Sequence, residues 1–341
     1  MDIQKINQLK DWLTKSGINF SEDFDLSLKS WIKAGGIIKN FITPNNLDQI
    51  IKLLKYLNES NLDFYILGNL SNTLIRDGLI LTPIINLSKF NKIEKINDYE
   101  NKFSMEAGVS LTRFSNYLVK QNISGTEGLI GIPGSIGGGL FMNASSYGSC
   151  ISDFLINVTV LDKIGNIKKL SKAELNFAWR SSYFQNKKLL IIKAEFKFND
   201  NKNNNEILKN KERIIKHRYT FQEKKYPNLG SIFATKNIYK DLSKKSYLYF
   251  LLYVLHKCLS IIFSKISTMS LIEYRKFIVL IYSKLLKIDR SDNFFFSDRT
   301  LNCLVNLGSK NANKAIKLVK YFEKKMNYSV KLENIILDKI K

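Results

Sequence analysis

Histidine is almost missing from this 341-residue chain. With only His217 and His256, a histidine-rich metal centre is excluded. Cysteine is scarce too. Cys150, Cys258 and Cys303 are odd in number and far apart, which makes neither a disulfide framework nor a zinc site and points to a reducing compartment. There is no Walker pattern G-x-x-x-x-G-K-[ST] and no strand–GxGxxG–helix fingerprint of the Rossmann type. The opening MDIQKINQLKDWL has no apolar signal core and no cleavage site, so export is not expected. No internal repeat is visible. Acidic residues are few, 30 against 53 Lys and Arg, which leaves a net charge of +23. The excess is mostly lysine spread along the chain beside many Asn and Ile residues. It reads as compositional bias, not as a nucleic-acid patch, and a phosphorylated or polyanionic ligand suits it equally well.

The chain does have apolar residues in ordinary proportion, 45%, which rules out wholesale disorder, collagen and a coiled-coil rod. At about 150 residues per domain, its length suggests two or three domains. Leu47, Ile50, Ile51, Leu54 and Leu57 fall at helical spacing, which predicts a helix over 47–58 capped by Asn46. Strands are expected at 64–67, 80–87, 103–107 and 188–198, with a helix from Ser110 to about Lys120. Residues 158–161 and 167–170 form a hairpin across a turn at 162–166. Ser171 and Glu174 are spaced as a capping box opening a short helix. The polar tract 199–205 reads as a surface loop or domain boundary. A helix around 312–322 and a strand over 329–337 close the chain.

Two stretches stand apart. Residues 124–148 hold eight of the 17 glycines, so they cannot be regular structure throughout and read as backbone brought close to a ligand. Together with the turn cluster Gly68, Asn69, Leu70, Ser71 and Asn72, they suit phosphate or cofactor binding, because glycine lets backbone N–H groups approach an anion. The second stretch is 246–287. Tyr247–Phe263 is almost continuously apolar but short of the ~20 residues of a spanning helix. It predicts a buried helical hairpin; the competing reading is a helix pair touching a membrane surface or a partner, helped by interspersed lysines.

Read in order, these pieces resemble the UDP-N-acetylenolpyruvoylglucosamine reductase family, also called UDP-N-acetylmuramate dehydrogenases. Phe64 to Asn72, with Asp77, is similar to that family's first flavin-pyrophosphate loop. Gly125 to Gly138, then Met142, Asn143, Ala144, Tyr147 and Gly148, is similar to its second. Trp179, Arg180, Ser182 and Phe184 resemble its Tyr-Arg-x-Ser-x-Phe motif, and Gln222 through Tyr226 and Pro227 to Gly230, Ser231 and Phe233 resemble its serine loop. Ser297 to Asn302, with Asn306, resembles a later segment, and Gly35, Gly36, Thr43 and Pro44 sit where the family has its first Gly-Gly and Pro.

The resemblance implies an α+β protein with an FAD-binding fold of the vanillyl-alcohol-oxidase/p-cresol-methylhydroxylase type. That region would cover 1–200 in two subdomains, about 20–90 and 91–200. A smaller substrate domain would follow at 206–341, with a helical insertion at about 240–290. It implies FAD held by Gly68, Asn69, Ser71, Asn72, Glu127, Gly131, Ile132, Pro133, Gly134, Ser135, Gly137, Gly138 and Asn143. NADPH would reduce the flavin. The enolpyruvyl group of UDP-N-acetylglucosamine enolpyruvate would then be reduced to UDP-N-acetylmuramate, for peptidoglycan precursor synthesis in the cytoplasm. The implied catalytic residues are Arg180, a fixed cation for the substrate carboxylate, and Ser231, the proton donor; Tyr226 and Asn302 would bind substrate. A monomer with a UDP-sugar substrate and no metal or nucleic acid is expected.

Four departures are visible. Leu70 replaces a glycine of the first loop, where a positive φ is costly for leucine. Ala234 stands where the family has a lysine. Ile335 replaces a glutamate that assists protonation; on a continuous strand Glu333 would lie about 6.6 Å from that position, at ~3.3 Å per residue, too far to stand in for it. The span from Ser231 to Ser297 is also much longer than in the family. Two other readings therefore stand beside the reductase: a divergent FAD-binding oxidoreductase acting on another nucleotide sugar, and a catalytically inactive binding homologue.

Overall fold

The local signals place the first helices where expected. Asn46 accepts a hydrogen bond from the Gln49 backbone N–H at 2.9 Å and starts the helix Leu47–Glu59, which buries Ile50, Leu53, Leu54 and Leu57. Ser110 does the same for Leu111–Lys120, whose Leu111, Phe114 and Leu118 are buried. A helix not anticipated from the sequence, Ile3–Lys15, packs Ile6, Leu9 and Leu13 into the same core.

This computed structural model describes residues 3–97, 99–198, 204–288 and 293–341. Its first sheet orders Phe20–Asp25, Ile37–Ile42, Ile84–Ile85 and Tyr65–Ile66, with Leu79–Ile80 also paired to Ile37–Ile42. The first pair is antiparallel and the others are parallel. A second, wholly antiparallel sheet orders Ile167–Ser171, Leu155–Leu161, Leu190–Lys197, Lys102–Glu106 and Ile93–Asn97. A third, antiparallel sheet of Asn228–Ser231, Thr300–Asn306 and Phe294–Ser297 lies in the C-terminal part. The last strand, Ile335–Leu337, returns to pair in parallel with Thr73–Ile75.

Several expectations are corrected. Ser171 and Glu174 do not form a full capping box: Glu174 accepts from both the N–H and the hydroxyl of Ser171, and only a 3-10 turn, Ala173–Leu175, follows. Of the expected loop 199–205, residues 199–203 lie outside the described residues, and Asn204 and Asn205 already belong to the helix Asn204–Phe221. The strand expected over 329–337 is confined to Ile335–Leu337, because the backbone N–H groups of Glu333 and Asn334 both turn to the carbonyl of Ile232, at 2.8 and 3.4 Å.

The helical hairpin exists, as Tyr247–Ile266 and Thr268–Leu285, but it is not a buried one. The second helix buries Leu271, Tyr274, Ile278 and Tyr282 in the C-terminal core. The first has no buried residue at all. It lays Tyr249, Leu252, Leu259 and Phe263 against that core, and its other side faces outward.

The C-terminal part is tied to the start of the chain by Asn306, which is 3% exposed. Its Nδ2 donates to the carbonyls of Ile32, Lys33 and Ser309 at 2.8, 3.2 and 2.7 Å. Its Oδ1 accepts from the N–H groups of Gly308 and Ser309 at 2.9 and 2.7 Å. Truncation would strand the carbonyl of buried Ile32, at about 1–3 kcal/mol when unsatisfied, and remove the bonds to the half-exposed backbone at 308–309. Asn306→Ala is therefore expected to lower the unfolding free energy by about 3 kcal/mol in a urea titration; a loss under about 1 kcal/mol would show that water replaces the amide.

Candidate functional site

Two glycine loops meet, and their contact defines the site. Asn69 Nδ2 donates to the Pro133 carbonyl at 3.3 Å. Ser135 caps the short helix Ile136–Met142 by accepting from the Gly138 N–H at 3.3 Å. A Cβ on Gly68 would stand 3.3 Å from that same Ser135 hydroxyl, and one on Gly138 3.7 Å from it. Gly68, Asn69 and Gly138 are exposed, so the meeting line is a strip of bare backbone onto which a flat or phosphorylated group can settle.

The surrounding residues hold the strip in place. The N–H groups of Ile136 and Gly137 donate to the carbonyls of Val109 and Ala107 at 2.8 and 2.9 Å. Gly131 donates to the Thr112 hydroxyl at 2.9 Å, Ile132 donates to the Leu129 carbonyl, and the Gly134 carbonyl accepts from Leu111 N–H. Glu127, buried, accepts from the Gly125 N–H at 2.7 Å. Asn143, in the left-handed region at φ 46°, donates to the Ala178 carbonyl at 2.9 Å and so fixes the turn that carries Arg180. Ser71 lies half-buried on the first loop. Asn72 is turned toward the C-terminal segment instead: its Nδ2 donates to the Glu333 carbonyl at 2.9 Å, and its Oδ1 accepts from Asn334 at 2.8 Å.

Leu70 keeps the glycine-like conformation, at φ 55°. Its side chain is 6% exposed, in a cluster with Leu26, Ile38, Phe41 and Ile80. Burial of a leucine, about 1.5–3 kcal/mol, offsets the ~1–2 kcal/mol of a left-handed backbone. The substitution therefore preserves the loop's shape.

Arg180 sits at the tip of a tight turn closed by paired hydrogen bonds between Ala178 and Ser181, and its own φ is 51°. Its Nη2 donates to the Ser145 carbonyl at 3.1 Å, and its Nε forms an ion pair with Glu333 Oε1 at 2.9 Å. The Nε–H is not aligned as a hydrogen bond, so the contact is chiefly electrostatic. Because the chain bends at the Ile232 carbonyl, Glu333 is not held out of reach as a continuous strand would require. Burial pushes its carboxyl above the ordinary range, outweighing the pull of Arg180.

Ser231 is exposed at the end of the strand Asn228–Ser231 and is joined to this cluster through its carbonyl, which accepts from Asn334 Nδ2 at 3.0 Å. Asn302 braces the next residues: its Oδ1 accepts from Phe233 N–H at 2.9 Å and its Nδ2 donates to Phe233 O at 3.0 Å. Tyr226 is half-buried in a loop shaped by Glu223, which accepts from its N–H at 3.2 Å. Beside Arg180 lies a groove of about 300 Å³ whose lining includes Trp179, Ala234, Lys236 and Lys331 together with Thr235 and Asp241, which are hydrogen-bonded to each other. Lys236 stands 5.0 Å over the Trp179 ring, and Lys331 reaches the Arg180 carbonyl at 3.3 Å. Two residues after Ala234, the groove thus carries a lysine.

A family model described as an FAD binding domain matches residues 38–171. The UDP-N-acetylenolpyruvoylglucosamine reductase of Lactobacillus helveticus (strain DPC 4571) is 35% identical over 221 residues, covering 65% of this chain and 73% of that protein. That of Streptococcus thermophilus (strain CNRZ 1066) is 33% identical over 234 residues, covering 68% and 75%. The chain belongs to the UDP-N-acetylenolpyruvoylglucosamine reductase family. The match to the Clostridium tetani (strain Massachusetts / E88) member, at 38% identity over 203 residues, spans 64% of that relative's length and 59% of this chain. The crystal structure of the Thermus caldophilus UDP-N-acetylenolpyruvylglucosamine reductase overlays with a TM-score of 0.68 at 19% identity, covering 94% of this chain and 99% of that one. The α+β FAD-binding fold expected from the motifs is therefore the fold of this chain.

Within this reductase family fold, one buried cation escaped the sequence reading. Arg218, on Asn204–Phe221, is 6% exposed and donates to the Gly128 carbonyl at 2.7 Å and the Ser146 hydroxyl at 2.9 Å. Its guanidinium lies 4.9 Å from the Tyr147 ring centre. Burial holds it below its ordinary pKa, which still leaves an arginine charged at neutral pH. Tyr147 bonds to His217 Nδ1 at 2.7 Å, and burial, with Arg275, Arg213 and Arg218, keeps that imidazole below its usual range. Its signal in the sequence is the adjacent pair His217 and Arg218, one of only two histidines beside an arginine.

Two predictions follow from this geometry. Leu70→Ala should cost about 3 kcal/mol through the lost burial, and Leu70→Gly should be about 1 kcal/mol more stable than the alanine variant, because glycine relieves the left-handed strain. Urea melts of the three proteins give that order; alanine above glycine would mean that the loop relaxes. The raised carboxyl of Glu333 makes the folded state bind a proton more tightly than the unfolded one. Its contribution is thus greatest below the ordinary glutamate range and falls as pH rises through the folded value. Glu333→Gln should flatten that decline in unfolding free energy between pH 4 and neutrality. An unchanged pH slope would show that Glu333 is not protonated more readily in the fold.

Proposed function

We propose that this protein is an FAD-dependent reductase. In this reading it reduces the enolpyruvyl group of UDP-N-acetylglucosamine enolpyruvate to UDP-N-acetylmuramate with NADPH as reductant; the name of its relatives, UDP-N-acetylenolpyruvoylglucosamine reductase, supports the reductase and the nucleotide-sugar substrate. The observation that carries this reading is the guanidinium of Arg180, held by a strained turn and already facing a carboxylate, that of Glu333. The exposed backbone strip at Gly68, Asn69 and Gly138, beside the Ser135 hydroxyl and within the stretch that matches an FAD binding domain, is where FAD would be held. FAD, when bound, supplies the hydride chemistry.

The chain's own residues supply charge, orientation and a proton. A guanidinium has five N–H donors. Arg180 directs Nη2 to Ser145 and Nε toward Glu333, so Nη1 and the second Nη2 hydrogen are left to grip a substrate carboxylate. Negative charge that builds toward that carboxylate during reduction is stabilised by the fixed cation. Ser231 is the proton donor. Its hydroxyl is a weak acid, and Glu333, with its raised carboxyl and its backbone bonded to Ile232, is the nearby group that can support the transfer. Arg218 places a buried positive charge beside the Gly128–Gly131 backbone, where it favours an electron-rich cofactor. Lys236 and Lys331 line the groove beside Arg180 and give it two cations for the phosphates of a nucleotide sugar, against one carboxylate, Asp241, which is bonded to Thr235 and Lys244.

The test is spectroscopic. Purified protein should show flavin absorbance that bleaches with NADPH without oxygen and recovers when UDP-N-acetylglucosamine enolpyruvate is added. Arg180→Ala should keep the flavin and the bleaching but slow recovery by about a thousandfold, the scale of a lost charge-stabilising group. Flavin that stays bleached in the wild-type protein would direct the search to another acceptor, and a protein without flavin would overturn the reading.

A further inference from the structure

The described helix Tyr247–Ile266 is long and apolar enough to cross a membrane, yet none of it is buried. Tyr247, Leu248, Phe250, Leu251, Val254, Leu255, Ile261, Ile262 and Ile266 are between 44% and 74% exposed. At roughly 200 Å² for a large apolar residue, their exposed surface is on the order of 1,000 Å², beyond the few hundred Å² that a monomer ordinarily leaves uncovered. The second helix adds Met269 and Phe277, at 68% and 58%.

Charge indicates what covers this face. Residues 247–266 contain no acidic residue, and the whole span 244–288 has seven lysines and Arg275 against the single acid Glu273. Lys257 falls at the flank of the apolar side and Lys265 at its end, where long aliphatic stems lie along apolar surface while the ammonium stays in water. A second copy of this chain would bring another net +23 to the contact, so like charge opposes self-association. An anionic lipid surface satisfies both the apolar face and its basic border.

The inner side of the helix decides how it meets that surface. His256 Nδ1 bonds to the Tyr274 hydroxyl at 2.9 Å, Phe263 stacks on Tyr274 with centroids 4.8 Å apart, and Tyr249 stacks on the buried Tyr282. A spanning orientation would have to break these contacts and carry His256 and Lys257 into hydrocarbon. We propose that Tyr247–Ile266 lies in the plane of an anionic bilayer, with its outward side chains among the acyl chains, and tethers the protein to the membrane surface.

Full-length protein can be mixed with sedimenting vesicles of phosphatidylcholine alone or with one third phosphatidylglycerol. At least tenfold stronger binding to the phosphatidylglycerol vesicles is expected, weakened severalfold by 0.5 M salt. Leu251→Glu with Leu255→Glu, both at exposed positions, should reduce it at least tenfold while absorbance from bound flavin and the thermal melt stay unchanged. Should that pair unfold the protein, Leu251→Ser with Leu255→Ser gives the same reading more gently. Equal or absent binding to the two vesicle types overturns the proposal. So does a dimer in light scattering that the same substitutions break, which would assign the face to a second copy. Bound protein that resists extraction by alkaline carbonate would mean a spanning helix instead.

Discussion

The carbonyl of Ile232 accepts two backbone N–H groups, from Glu333 and Asn334, and the candidate site depends on that bend. A straight strand would carry Glu333 past the cluster. The bend instead turns its carboxylate onto Arg180 and leaves Asn334 to donate to Asn72, Leu229 and Ser231. One buried asparagine and one carbonyl thus join the first glycine loop, the serine strand and the C-terminal strand. The bend sets Glu333 and Ser231 relative to each other, and the separate Ala178–Ser181 turn brings Arg180 to them.

Departures from the family pattern are absorbed by their surroundings in different ways. At Leu70, backbone strain is offset by burial of the side chain in the same residue. Near Ala234, Lys236 lines the groove from the following turn and rests on Trp179. Ile335 pairs with Thr73 in the parallel ladder, while the carboxylate that meets Arg180 comes from Glu333, two residues earlier.

The helical hairpin shows a different division of labour. Its second helix belongs to the C-terminal core through Leu271, Tyr274, Ile278 and Tyr282, whereas its first helix shares only one side with that core. The aromatic contacts between them, Phe263 on Tyr274 and Tyr249 on Tyr282, hold an otherwise unpartnered apolar face in a fixed orientation. Such a face meets water only at a solvation cost, which a covering surface would remove.

The elements that were legible in the sequence are those dictated by neighbours along the chain. The capped helices Leu47–Glu59 and Leu111–Lys120, the hairpin of Leu155–Leu161 with Ile167–Ser171, and a glycine-rich block suited to a cofactor follow from local spacing and residue type, while FAD itself came from the resemblance of the motifs to a family. Arg180 and Ser231 were marked by their motifs. What the sequence could not contain was everything set by distant partners. The bend at Glu333 needs the Ile232 carbonyl, about a hundred residues away; Arg218 becomes a site residue only because its helix crosses Gly128; Asn72 and Asn302 turn inward to brace backbone. Hydropathy likewise specified that Tyr247–Ile266 is an apolar helix but not which way it faces, because burial depends on whether another surface arrives to meet it. Local propensity determined the elements, and the motifs' resemblance to a family indicated the cofactor class; long-range hydrogen bonding and packing alone decided which carboxylate meets Arg180 and which apolar face is left open.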